Sequence, residues 1–259
     1  GQRVMTPAFL SPPGGPVEPG GYDFRRQAWF DRLGAVGYTR VAVLTVAPAE
    51  VTRGGLWIYA LRMRLSTAVQ QALGGDVGGV AAAITTGDRS GIDRPTIDAL
   101  RASNLAQLLA ISGLHMGLLA GFVLGALRLG LSAIPWVALR WPTRKIAAAG
   151  ALIAGAVYLA LSGGSVATER AFVMVAVMLV AVLFDRRAIS LRAVALAAVV
   201  VMVLRPESLL GPGFQMSFAA TTALVAVFGT LRDRGITLAG HPLKAALALV
   251  TSSAVAGAA

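Results

Sequence analysis

The stretch LAQLLAISGLHMGLLAGFVLGAL, Leu105–Leu127, decides the fold because it contains no Lys, Arg, Asp or Glu. A helix needs about 20 mostly apolar residues to cross the ~30 Å hydrocarbon core of a membrane. Four more apolar stretches follow it: Ile146–Leu161, Val166–Phe184, Ala188–Leu204 and Phe214–Leu231. The sequence therefore predicts a mainly α fold, a polytopic transmembrane helical bundle of at least five spans embedded in a lipid bilayer.

The composition supports a membrane protein. Only 14% of the 259 residues are charged, whereas a soluble domain has about 25%. Residues 102–259 hold 12 Lys or Arg but only 4 Asp or Glu. The chain has no cysteine, which excludes disulfides and thiolate metal sites, and we expect no metal and no cofactor. A sixth apolar run begins at Leu243 and is cut short at Ala259, so we expect the chain to be a fragment.

The basic residues between the apolar stretches predict an orientation. Lys and Arg number 4, 1, 3, 1 and 3 in the successive connections 128–145, 162–170, 185–192, 205–213 and 232–244. Loops rich in Lys and Arg lie on the cytoplasmic side of a membrane. We therefore expect residues 1–104 to be extracytoplasmic.

The part of the chain before the first span has two regions. Residues 1–50 are rich in Gly and Pro; in them Asp23–Gly34 predicts a short helix and Gly34–Pro48 a strand, with Val41 and Val43 on one face. Residues 51–104 predict linker helices, of which residues 56–73 are amphipathic. Leu61, Leu65, Val69 and Leu73 form its apolar stripe. This helix either lies at the membrane surface or packs as a soluble helix, and residues 105–259 form the transmembrane domain.

Several polar residues fall inside or at the ends of the spans. Counted from Leu105, His115 lies ~15 Å into its helix, near the middle of the bilayer. An ionisable group at that depth is a functional candidate, although a hydrogen bond to a neighbouring helix also explains it. On the charge-derived orientation these residues describe a polar path from the outside inward. Its members are Ser112, His115, Glu169, Arg170, Gln215 and Ser217.

Two local patterns refine this path. Glu169 and Arg170 are adjacent, and adjacent residues on a helix do not face each other, so we expect each to meet a different partner. The first span also has a glycine at every fourth residue: Gly113, Gly117, Gly121 and Gly125. Small residues at this spacing let two helices approach closely, and we expect this ridge to pack against another helix.

Three blocks of the sequence resemble a known family. LAQLLAISGLHMGLLAG (Leu105–Gly121), LSGGSVATERAFVM (Leu161–Met174) and PESLLGPGFQMSFAATTAL (Pro206–Leu224) are similar to signature stretches of the ComEC family of competence proteins. GGYDFRRQAWFDRLGAVGY (Gly20–Tyr38) resembles the end of that family's OB-like domain, and TTGDRSGID (Thr85–Asp93) its link into the competence domain. The chain departs from the family at Gln107, where a histidine is common.

The resemblance implies an inner-membrane channel through which single-stranded DNA enters the cytoplasm during natural transformation. It also implies partners: single-stranded DNA, a DNA receptor and a motor ATPase, with the number of channel copies left open. OB folds hold single strands with aromatic and basic side chains. In this chain Arg25, Arg26, Trp29 and Arg32 are possible DNA contacts, although the aromatic residues of this region are also compatible with a domain core.

Two other functional classes predict different sequence features. A small-molecule permease predicts two related halves with interrupted helices, and no such repeat is seen. A membrane-embedded enzyme would use His115 and Glu169 as an acid–base pair, which needs them within hydrogen-bonding distance. The chain has no nucleotide-binding Gly-Lys-Ser/Thr loop and too few histidines for the nuclease domain that many family members carry. We therefore expect no catalytic residues in this chain.

Overall fold

A computed structural model describes residues 3–19, 21, 23–47, 56–103, 105, 109 and 113–233. The chain divides into two units, Gly1–Ala60 and Leu61–Ala259. Four described helices are long and apolar enough to cross a membrane: Gly113–Ser132, Thr143–Leu161, Val166–Leu183 and Pro212–Thr230. The predicted fold class, a mainly α transmembrane bundle preceded by a small β-rich region, is confirmed. The run from Leu243 lies outside the described residues.

The first unit contains two small antiparallel sheets. Strand β1 (Arg3–Met5) pairs with β4 (Leu44–Ala47), and β2 (Phe9–Ser11) pairs with β3 (Val36–Tyr38). The prediction of one strand over Gly34–Pro48 was wrong, because the chain leaves one sheet after Tyr38 and joins the other at Leu44. Val41 and Val43 lie in this connection rather than on a strand face.

A short helix, α1 (Phe24–Phe30), lies between the two sheet-forming segments. Asp23 caps it by accepting a hydrogen bond from the backbone N–H of Arg25, as expected for Asp before a helix. The helix ends at Phe30, earlier than the predicted Gly34, and Arg32 follows with a φ of 56°. That left-handed conformation does not continue a helix.

Three helices precede the bundle: α2 (Leu56–Leu73), α3 (Gly75–Thr86) and α4 (Arg94–Ala102). Helix α2 has the predicted bounds, but the face that packs is its polar face. Ser66 is fully buried, whereas Leu61, Leu65 and Leu73 are exposed. An exposed apolar stripe favours the membrane-surface alternative for α2, which stays a prediction.

Hydrogen bonds tie the polar face of α2 to the turn that follows α3. The Ser66 hydroxyl donates to the Asp88 carboxylate at 2.6 Å, and the Gln70 amide donates to Ser66 at 3.1 Å. Arg62 Nε donates to the carbonyl oxygen of Thr86 at 2.6 Å. The Ser66 hydroxyl, the backbone N–H of Ser90 and the charge of Arg62 hold the pKa of Asp88 below its usual value of 3.8.

The bundle begins with α5 (Gly113–Ser132), and the short helix α6 (Pro135–Arg140) connects it to α7 (Thr143–Leu161). Helices α8 (Val166–Leu183), α9 (Leu191–Leu204), a 3₁₀ turn (Pro206–Leu210) and α10 (Pro212–Asp233) follow. Helix α9 has 14 residues and spans about 21 Å, so it is shorter than the predicted Ala188–Leu204. Ser165 and Ser190 cap α8 and α9 with their hydroxyls.

Small residues on α7 form the centre of the bundle. Ala147, Ala148 and Ala151 have no exposed surface, and Leu179 and Val182 of α8 pack against them. Since alanine projects only one methyl group, the helix backbones can approach closely. Met116 of α5 is also fully buried and lies near Gly155 and Phe172, so α5, α7 and α8 meet there.

The glycine ridge of α5 has one close neighbour among the described residues, and its packing against another helix stays a prediction. A Cβ at Gly113 would lie 3.7 Å from Ala171, but one at Gly117, Gly121 or Gly125 would meet no described atom within 4 Å. The buried residues of α5 are Met116 and Ala120, which are not part of the glycine ridge. Glycine spacing identifies a smooth helix face but does not identify what covers it.

We expect Gly121→Ala to leave the free energy of unfolding unchanged or to raise it by up to about 1 kcal/mol, because alanine favours the helix and no contact is lost. Gly79→Ala is the matched control, since its Cβ would overlap the carbonyl oxygen of Gly91 and cost about 1–3 kcal/mol. Unfolding in mixed micelles with increasing denaturing detergent measures both. A loss at Gly121 equal to that at Gly79 would contradict the open ridge.

We expect Asp88→Asn to lower the free energy of unfolding by about 1–2 kcal/mol, because the buried Ser66 hydroxyl loses a charged acceptor. The folded-state pKa of Asp88 is depressed, so its contribution is present above pH ~4 and is lost as the pH falls further. The difference between wild type and variant should therefore shrink below pH ~4. Asp98→Asn, at an exposed pair with Arg101, is the control and should change little at any pH.

Candidate functional site

Two ion pairs mark the two ends of the bundle. Lys145, at the start of α7, lies 2.6 Å from Asp185, just after α8. At the other end Arg205, after α9, lies 2.8 Å from Glu169, in the first turn of α8. The amino ends of α8 and α10 and the carboxyl ends of α7 and α9 therefore share one end of the bundle. We call it the Glu169 end.

The Glu169–Arg205 pair is only partly open to solvent. About a third of each side chain is exposed, 34% for Glu169 and 33% for Arg205. On the other side of Glu169, a Cβ at Gly164 would lie 3.7 Å from its Oε1. The loop before α8 therefore lies close to the carboxylate of Glu169. In this loop Gly163 and Gly164 adopt φ values of 83° and 59°, which favour glycine.

Arg170 follows Glu169 in the chain but does not share its ion pair, and it packs against a different helix. Its Nε is buried and has no hydrogen-bond partner among the described residues. Its guanidinium lies against Gly213 in the first turn of α10, where a Cβ would come 3.0 Å from Nη2. Within the described ranges Arg170 has no ion pair, because the adjacent carboxylate of Glu169 is bonded to Arg205. Among the described residues, no carboxylate neutralises the charge of this half-buried cation.

Ser217 lies one turn along α10 from Gly213, so it shares the face of the helix that meets Arg170. One turn further, the hydroxyl of Thr221 lies 3.9 Å from the sulfur of Met174, and Met174 is one turn beyond Arg170 on α8. Gln215, in contrast, is exposed and donates to the carbonyl oxygen of Leu209. Ser217 therefore lies about one helical turn further from the Glu169 end than the contact between Gly213 and Arg170. Gln215 lies on a different, exposed face of α10.

His115 lies two residues after Gly113, where the described part of α5 begins. Its depth of ~15 Å was counted from Leu105, and six of the residues between Leu105 and Gly113 lie outside the described ones, so that depth stays a prediction. Gly113 lies beside Ala171, so His115 belongs to the Glu169 end. Glu169 pairs with Arg205, and the acid–base pair that an enzyme would need gains no support. Ser112 and Gln107 lie outside the described residues.

The candidate DNA contacts of the first unit lie on and after α1. Arg25 and Trp29 are four residues apart and therefore share a helix face, and the Trp29 ring is 80% exposed. Arg25 is already paired with Asp23 at 3.2 Å, which reduces its availability. Arg26 and Arg32 are exposed. Their role in DNA binding stays a prediction.

Sequence reasoning missed three features of the two units. It did not pair Arg205 with Glu169, although the predicted topology puts the ends of their spans on one side. It did not place the Arg62 side chain against Gly163 in the loop before α8. In the first unit it missed the stacking of Phe9 on Tyr38, with ring centroids 5.4 Å apart. Arg40 covers the Tyr38 ring.

These features define a polytopic membrane protein with a partly buried cationic site at one end of its helix bundle. The chain belongs to the Competence protein family, whose model matches residues 84–259. It is 31% identical over 169 residues to ComE operon protein 3 of Bacillus subtilis, covering 65% of this chain and 20% of that protein. It is 32% identical over 158 residues to Recombination protein 2 of Haemophilus influenzae, covering 59% of this chain and 18% of that protein.

The chain thus spans about one fifth of the length of these curated relatives. No solved structure matches the chain. The match from residue 84 onward includes α4 and all bundle helices described above. The ComEC-family resemblance of the sequence blocks is confirmed.

We expect a double-mutant cycle of Glu169→Gln and Arg205→Gln to give a coupling energy of about 1 kcal/mol or more, because the pair is shielded from water on most of its surface. The unfolding free energy in micelles measures it. Asp98→Gln with Arg101→Gln, a fully exposed pair, is the control and should show less coupling. Equal coupling in both pairs would mean that Glu169 and Arg205 do not meet in a shielded site.

Proposed function

We propose that this chain forms the membrane part of a channel that passes single-stranded DNA into the cytoplasm during natural transformation. Membership of the Competence protein family supports a role in DNA uptake. The observation that carries the proposal is Arg170, a half-buried cation whose Nε lacks a partner among the described residues. A half-buried cation of this kind favours an anionic ligand.

The surroundings of Arg170 favour an anion over any other ligand. It lies in the second turn of α8 and against the first turn of α10, and the amino ends of helices carry partial positive charge. The only acid next to it in sequence is held by Arg205 at 2.8 Å. A DNA strand carries one phosphodiester charge per nucleotide, and Arg binds phosphate oxygens with up to two parallel hydrogen bonds.

The Glu169–Arg205 pair has a supporting role in this proposal. By binding Glu169, Arg205 keeps the carboxylate from neutralising Arg170. Without Arg205, Glu169 would be the nearest carboxylate to Arg170 and would compete with a phosphate for it. The pair therefore keeps Arg170 available to an incoming strand.

The direction of transport follows from the loop charges. On the positive-inside rule the Glu169 end is extracytoplasmic, so a strand would meet Arg170 on entry and Ser217 one turn deeper. The N-terminal region, with Trp29 and Arg26 exposed, would lie on the same side as the entering DNA. A DNA receptor would deliver the strand and a motor ATPase would drive its passage. No chemical reaction is assigned to this chain.

We expect Arg170→Gln to lower the uptake of transforming DNA about tenfold or more, because an entering phosphate loses its cationic contact. Arg170→Lys should retain more uptake than Gln, since it keeps the charge but not the paired N–H groups. The measurement is transformation frequency in cells that carry the full-length protein, with the membrane level of each variant matched by immunoblot.

Arg94→Gln is the matched control, because it removes one exposed positive charge from α4, a helix that precedes the bundle. It should transform like the wild type. Wild-type uptake in Arg170→Gln at matched protein level would refute the proposed role of Arg170. A strain lacking the whole protein that still takes up DNA would refute the proposed function.

A further inference from the structure

The end of the bundle opposite Arg170 contains a cavity of ≈ 230 Å³ between α5, α7 and α8. Leu124 and Arg128 of α5, Arg144 of α7 and Val182 of α8 line it. Two apolar and two arginine side chains therefore border one space. This cavity takes no part in the function proposed above.

The charges around the cavity are almost all positive. The two connections at this end, 128–145 and 185–192, hold seven Lys or Arg and one acid, Asp185. Asp185 is bonded to Lys145 at 2.6 Å. Among the residues that the structure describes, neither Arg128 nor Arg144 has a carboxylate partner, so both can bind an external anion.

Helix α6 places this end at the membrane surface. It is six residues long and exposes Leu139 and Trp136, at 87% and 59%, and Trp141 follows it at 56%. Arg140 covers the Trp136 ring at 5.4 Å. Tryptophan is enriched where lipid headgroups meet the acyl chains, and a short helix with exposed Trp and Leu lies in that layer. The mouth of the cavity is therefore at the level of the headgroups.

We propose that this cavity binds an anionic phospholipid, with the headgroup phosphate between Arg128 and Arg144 and an acyl chain along Leu124 and Val182. Basic pockets between transmembrane helices are sites of this kind. A free phosphate ion would use the two arginines but not the apolar walls. The inference does not depend on DNA transport or on which leaflet this end faces.

The test is lipid binding by the full chain in detergent micelles, measured by native mass spectrometry during a titration with phosphatidylglycerol. We expect one tightly held phosphatidylglycerol and much weaker binding of phosphatidylcholine. Each arginine near a headgroup contributes roughly fivefold in affinity, so Arg128→Gln with Arg144→Gln should weaken binding about 25-fold. Arg187→Gln with Arg192→Gln removes the same charge outside the cavity and should change affinity little.

Equal weakening in both double variants would overturn the proposal in favour of a general surface charge effect. Competition by millimolar inorganic phosphate that displaces the lipid would overturn it in favour of a free-anion site. Displacement by a single-stranded oligonucleotide would assign the cavity to DNA instead. The double variant Arg128→Lys with Arg144→Lys is a second test in case the Gln variant does not fold. This Lys variant should bind the lipid less tightly than the wild type. Unchanged affinity would contradict the guanidinium contacts.

Discussion

The alanine and glycine face of α7 is the constraint on which the rest of the bundle depends. Ala147, Ala148 and Ala151 are fully buried, and they let α5 and α8 approach α7 closely. In a membrane, helices associate through such close packing because lipid is as apolar as the side chains. The short loop from Ser162 to Ser165 then fixes where α8 begins, and with it the positions of Glu169 and Arg170. Larger residues on α7 would move the polar end of the bundle as well as its centre.

The two ends of the bundle use positive charge in different ways. At the Glu169 end, one cation is neutralised inside the protein and its neighbour Arg170 is left without a carboxylate among the described residues. At the other end, Arg128 and Arg144 face a cavity with apolar walls while Lys145 holds the one nearby acid. At each end a basic residue forms an ion pair with the nearby acid, Arg205 with Glu169 and Lys145 with Asp185. The acid is then not available to pair with the remaining arginines. Under the two proposals, a bundle with few acids would present phosphate-binding groups at both of its ends.

Hydropathy and loop charge predict much of this fold, because span length and Gly, Pro and Ser boundaries are local properties of the sequence. Helix α2 has its predicted bounds, and four long spans appear where expected. Properties that depend on contacts between distant parts of the chain, such as which face of a helix is buried, were not predictable. The buried face of α2 is polar because Ser66 donates a hydrogen bond to Asp88 and accepts one from Gln70, and Asp88 lies 22 residues beyond Ser66 in the chain. The candidate residues Glu169 and Arg170 followed from the sequence, but which of them is neutralised depends on Arg205, distant in the chain.

The central claim is that a DNA strand passes the face of the bundle that carries Arg170 and Ser217. The chain contains no cysteine, so a single Ser217→Cys substitution gives one defined thiol. Met216→Cys is its matched control, because the neighbouring side chain is 69% exposed on another face of α10. Incoming single-stranded DNA that carries a thiol-reactive group along its backbone should be trapped by the Ser217→Cys variant and not by the Met216→Cys variant. Equal trapping by both variants, or trapping by the Met216→Cys variant alone, would contradict the account.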